Sequence, residues 1–144
     1  MSCVASNYRE AAYALLRVTL GVIFLTTGIV KFVMGIGTFA AGLQQEFSDK
    51  LPMFIVTPFG YVLPFMEVTV GALLVLGLFN MIALALAGLL LMVLTFRKAA
   101  VNDGATVAGN LSYVLIIFVL LWFADCNSYS IDRRRHGKVP MNRL

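Results

Sequence analysis

A chain of 144 residues that is 60% hydrophobic and only 12% charged, with a mean hydropathy of +0.91, argues against a soluble globular domain, in which about a quarter of the residues are charged. The formal net charge of +4 is no nucleic-acid footprint, because five of the 11 Lys and Arg residues cluster after Ile131, as expected of a juxtamembrane anchor. Two cysteines without CxxC spacing, Cys3 and Cys126, and a single histidine, His136, leave no metal site and no histidine pair for haem within the chain.

The first residues, up to 12, are polar, and Tyr8 and Tyr13 suit a membrane interface. A first span follows over about 13–34. Within it Arg17, Gly21, Phe24, Gly28, Lys31 and Gly35 recur at helical spacing, on one face. The glycines on that face admit a close neighbouring helix, so Gly21 and Gly28 are candidate packing positions. No small-residue cleavage site follows Lys31, so a signal peptide is not expected. Gly35-Ile-Gly37 ends the span.

From Thr38 to Lys50 the chain is amphipathic, with Phe39, Leu43 and Phe47 four residues apart and Gln44, Gln45, Glu46 and Asp49 between them. Two readings fit: a short helix lying on the membrane surface, or a polar loop. From Leu51 to Phe96 the sequence is apolar except for Glu67 and a few small polar residues. As one helix it would run about 69 Å, over twice the hydrocarbon thickness, so it must fold back. Gly77-Leu-Phe-Asn80 is the best turn, which places a second span over about 57–78 and a third over about 81–96. Pro58 suits a first helical turn, while Pro64 predicts a kink. Arg97 and Lys98 close the third span and Asn102-Asp-Gly104 turns the chain. A fourth span covers about 105–123, with Trp122 and Tyr129 at an interface and a basic tail over 124–144. The fold expected is therefore all-α: a single-domain integral membrane four-helix bundle over 1–144, with either a short interfacial helix or a polar loop between spans one and two.

Four spans put both termini on one side, and that side holds Arg9, Arg133, Arg134, Arg135, Lys138 and Arg143. The positive-inside rule makes it the cytoplasm. Both cysteines then face a reducing compartment, and no structural disulfide is expected.

Glu67 is the sole carboxylate deep in the apolar sequence, where an ionisable group costs about 3 kcal/mol on insertion scales. It shares a helix face with Pro64, Gly71 and Leu74, which makes Gly71 a third packing position. Arg17 and Lys31 each lie about 10 Å from it in depth and are both candidate partners. Two roles are open for Glu67. One is a buried pair or hydrogen bond that fixes helix packing; the other is a proton acceptor or ligand-binding group facing a cavity. Lys31 has a second option, snorkelling to the outer headgroups, and Arg17 its counterpart at the inner ones. Met34, Met53, Met66, Met81 and Met92 are packing residues, too far apart for a thioether metal site.

The ordered set Arg17-x3-Gly21-x2-Phe24-x3-Gly28-x2-Lys31, Glu67-x3-Gly71 with Leu76-Gly77, and Ser128-Tyr-Ser-Ile-Asp132 resembles the DoxX family of small four-helix membrane proteins. The resemblance implies a bacterial cytoplasmic membrane and a link to redox chemistry, as a membrane subunit of a quinone-linked oxidoreductase. Quinone is the cofactor it implies, with no covalent cofactor, and Arg17, Lys31 and Glu67 supply the donor and protonatable types of such a site. A soluble or peripheral oxidoreductase is the partner implied, beside lipid and other membrane subunits or further copies of the chain. The rival class is a non-catalytic structural subunit packed within a larger membrane complex.

The topology is testable by labelling. An impermeant thiol reagent added outside intact cells should modify a cysteine at Asn102 and spare one at Asn142; reversed labelling would invert the orientation.

Overall fold

The long first helix follows from its composition. Leu, Val, Ile and Phe alternate with small residues and carry no proline, and the structure, a computed structural model describing residues 7–48 and 52–124, forms α1 over Asn7–Val33. The backbone turns at Gly35, whose φ of 91° a side chain would resist, and α2 runs over Ile36–Glu46. Next come α3 (Met53–Leu76), α4 (Asn80–Ala100) and α5 (Gly104–Trp122). Among the described residues there is no strand. α1, α3, α4 and α5 are each long and apolar enough to cross a membrane, and at about 28–40 Å they match a hydrocarbon core of about 30 Å. The chain is a multi-pass membrane protein.

The spans are longer than the apolar runs suggest. α1 begins six residues before Tyr13, α3 four before Thr57, and α4 continues through Arg97 and Lys98 to Ala100. Charged and aromatic residues at interface depth extend a helix as readily as they end one. α3 passes through Pro58 and Pro64 without interruption, so the expected kink does not break it. Of the two readings of 38–50, the helix forms, but its apolar edge turns toward protein. Ala40, Leu43 and Phe47 are buried, the latter two with Val56 and against Phe59, Ala100 and Val101. The basic tail and Tyr129 lie outside the described residues.

α1 and α3 are antiparallel and make the tightest pair. A Cβ on Gly21 would sit 2.9 Å from the Gly71 carbonyl oxygen, one on Gly71 would sit 2.6 Å from the Leu25 nitrogen, and one on Gly28 would sit 2.7 Å from Val68 Cγ2. No real Cβ fits at those distances. In lipid, where apolar burial drives little helix association, this close dispersion contact is what binds two helices. α4 and α5 pack as a second pair, and Leu20, Leu74, Leu84 and Leu120 fill the seam between the pairs. α2 lies along α3, tied by a hydrogen bond from Gln44 Nε2 to Thr57 Oγ1 at 2.9 Å. α5 is the least covered helix: only Ile117 and Leu120 are fully buried on it.

The α3–α4 turn holds a second polar centre. Gly77 adopts φ 68° and ψ 36°, a left-handed conformation, and caps α3. The Arg17 guanidinium lies directly against it, so that a Cβ there would meet Nη1 at 2.2 Å. Beside it Asn80 Nδ2 donates to the Tyr13 hydroxyl at 2.7 Å, with both residues buried.

Two substitutions test this frame. Gly28→Leu should separate α1 from α3 and sharply lower the amount of folded protein in the membrane; unchanged abundance would mean the contact is dispensable. Gly77→Ala combines a left-handed backbone with a clash against Arg17, and should cost about 1–3 kcal/mol, read as a lower midpoint of thermal unfolding in detergent.

Candidate functional site

Glu67 stands near the middle of α3, about 15 Å along the helix from Gly77. Its side chain is 2% exposed and forms an ion pair and hydrogen bond with Lys31 of α1. The α1–α3 contact makes this pairing possible, because Gly28 brings the two backbones together one turn below Lys31. Lys31 therefore turns inward instead of snorkelling outward. Its Nζ also lies 5.3 Å from the centre of the Phe39 ring, so α2 supplies an aromatic face to the same cation.

Arg17 goes elsewhere. It is 2% exposed and held at the α3–α4 turn, at one end of the bundle and not beside Glu67. The donor and the carboxylate that together suggested a quinone slot are thus separated, and of the three residues Arg17, Lys31 and Glu67 only the last two meet.

A cavity of about 150 Å³ opens beside the pair, between α1, α3, α4 and α5. Lys31 and Glu67 form one wall, Arg97 and Lys98 a second, and Thr106, Asn110 and Tyr113 of α5 the third. Leu20, Phe24 and Leu91 line its apolar end. The cavity's surface is mainly apolar, with polar groups set into three sides, and its volume has room for several waters. Two larger clefts, of about 260 and 230 Å³, have mainly apolar walls. On a lipid-facing surface acyl chains fill such clefts.

The mouth of the cavity is held by charges outside its lining. Glu46 of α2 accepts from Arg97 Nη1 at 3.2 Å and from Lys98 Nζ at 3.4 Å. Lys98 also reaches Asp103 Oδ2 at 3.3 Å. Asp103 caps α5, taking hydrogen bonds from the Thr106 hydroxyl at 2.7 Å and the Thr106 nitrogen at 3.1 Å. These Thr106 bonds, with Lys98 adding to them, hold the Asp103 carboxyl below the usual carboxylate range. Among the described residues no three His, Cys, Asp or Glu side chains are grouped to hold a metal ion.

Sequence reasoning missed most of this wall. Arg97 and Lys98 read as the end of a span, and Glu46 as the wet side of a surface helix. Thr106, Asn110 and Tyr113 did carry a signal: they are four and three residues apart and so share one face of the most apolar helix.

A family model described as methylamine utilisation protein MauE matches residues 9–103, and no DoxX model matches. No curated protein and no solved structure matches the chain. The resemblance to DoxX is therefore corrected. Glycines three or four residues from a cation, facing a Glu-x3-Gly, are what any close antiparallel helix pair around a buried ion pair requires, and they do not mark one family. The matched stretch carries Lys31, Glu67, Arg97 and Lys98 and ends where α5 begins. With residues 9–103 of its 144 matched, the chain belongs to the MauE family of methylamine utilisation proteins.

Proposed function

We propose that this protein is a membrane-embedded accessory subunit of a redox-linked assembly serving methylamine utilisation, and that the Lys31–Glu67 pair is its working element. The observation that carries the reading is the pair's position: Glu67 is buried at the middle of α3 and paired with Lys31, yet both line a cavity. A pair serving only to pin two helices needs no cavity, and an intramembrane carboxylate facing one is a functional group by default. In this role Glu67 accepts or releases a proton, Lys31 stabilises its charged form, and Asn110 and Tyr113 present hydrogen-bonding groups across the gap. The family description supports the methylamine context. The membrane partners are other subunits of that assembly.

Glu67→Gln alone leaves Lys31 uncompensated and should cost about 3–5 kcal/mol, seen as reduced membrane abundance. The double change Lys31→Met with Glu67→Leu removes both charges at similar volume and should restore abundance. In a host whose methylamine-dependent growth requires this protein, the double variant should be present at normal level and still fail to support that growth. If it restores growth as well as abundance, the pair is a packing device and the proposal falls.

A further inference from the structure

The cavity beside the pair carries charge at one end and leucine at the other. Its cations are matched: Lys31 by Glu67, Arg97 and Lys98 by Glu46, and Lys98 again by Asp103. A balanced wall selects no ion. Set into the mainly apolar surface are three uncharged polar side chains of α5, Thr106, Asn110 and Tyr113. Thr106 stands in the first turn of α5; Asn110 lies about 6 Å and Tyr113 about 10 Å further along the helix, into the bundle. α4 lines the cavity from Lys98 to Leu91, also about 10 Å of helix. The side chains of Asn110 and Tyr113 hydrogen-bond to no described residue.

An amide and a phenol each donate and accept, which is what a water molecule asks of its neighbours. At about 30 Å³ per water, a cavity of about 150 Å³ holds on the order of five. Arg97 and Lys98, both partly exposed, mark its wet end. Toward the opposite end the route stops. Leu20, Leu74, Leu84 and Leu120 are each at most 1% exposed and fill the bundle there. The cleft that enters from that end, past Arg9 and Tyr13, reaches no further than Leu16 and Leu120. We infer that Thr106, Asn110 and Tyr113 carry a file of waters by which Glu67 exchanges its proton with one aqueous phase only, the one at the end that holds α2 and the α4–α5 connection. A proton entering there passes from water to water, each making one O–H bond as it gives up another, and ends on the Glu67 carboxylate; release runs the same steps backward. Lys31 of α1, Arg97 and Lys98 of α4 and Tyr113 of α5 are the charged or titratable groups sharing the cavity with Glu67, and α2 adds Glu46 beside Arg97 and Lys98. The inference rests on the reading of Glu67 as the proton-accepting group, and adds its route and its side.

The test uses the full chain, with Cys3 and Cys126 changed to serine, in sealed right-side-out and inside-out membrane vesicles. The probe is silver ion in chloride-free buffer, a thiol reagent small enough for the cavity, scored by protection against a maleimide added after solubilisation. Asn110→Cys should react from the face that also reaches Asn102→Cys, at least tenfold faster than from the other face. Leu84→Cys, in the leucine layer, should react from neither. An unreactive Asn110→Cys, reaction from both faces or from the opposite one, or equal reaction of Leu84→Cys would overturn the one-sided route. In the methylamine-dependent host, Asn110→Leu, which keeps the volume and removes both hydrogen-bonding groups, should be present at normal level and slow growth several-fold, and Asn110→Ser should restore it. If Asn110→Leu lowers abundance, Tyr113→Phe, the loss of one hydroxyl, takes its place with the same expectation. Normal growth of the variant scored, while Lys31→Met with Glu67→Leu still fails, would overturn the water route and leave the pair as the working element. Growth of that double variant would remove the working element itself, and the route with it.

Discussion

A charge inside a bilayer must be compensated on the spot, and the Lys31–Glu67 contact is how this protein meets that constraint. Neither group alone is cheap at that depth. Together they require that α1 and α3 lie close, in one register and in antiparallel order. A slip of one residue along either helix would rotate one partner by about 100° away from the other. The pair thus specifies which helices meet and how, while its own net contribution to stability is small once desolvation is counted.

Close approach makes the pairing geometrically available. Gly21, Gly28 and Gly71 remove side chains where the backbones of α1 and α3 pass. The same economy governs the other end of the bundle, where Gly77 leaves room for the Arg17 guanidinium. Two cations are accommodated in different ways: the partly buried Lys31 meets a carboxylate, and the buried Arg17 is folded against a bare turn beside Tyr13 and Asn80. The cavity beside Glu67 follows from the loose side of this arrangement. α5 packs on α4 and touches α1 along few residues, so the space between Glu67 and α5 is not filled by leucines.

Much of the frame is legible in the sequence because hydropathy and turn residues are local. The number of spans and the reversal at Gly77–Asn80 can be read that way, while the segment after Gly35 reads equally as a helix or a loop. Glu67 stands out in sequence because nothing like it lies within the surrounding apolar run. Its partner is not legible: Arg17 and Lys31 lie at similar distances in depth from Glu67, on opposite sides of it, and the choice depends on rotation and register between helices far apart in the chain. Residues that close the cavity are harder still. Glu46 and Arg97 meet across 51 positions, and each alone resembles an ordinary interfacial charge. The family signal was misread for a related reason, since a spacing that physics imposes on any such helix pair carries little ancestry.

The sequence separation of the central pair has a consequence for biosynthesis. Lys31 precedes Glu67 by 36 residues, so at about 5–20 residues per second the first helix leaves the ribosome some 2–7 s before its counter-charge. During that interval the lysine can only stretch to the headgroup layer, which its flexible stem permits. Arrival of α3 draws it down and exchanges lipid phosphate for carboxylate. α1 is thus a provisional resident of the bilayer, secured by a later segment of its own chain. A chain interrupted between the two would leave the insertion machinery a helix with its cation still at the surface, and nothing to pull it in.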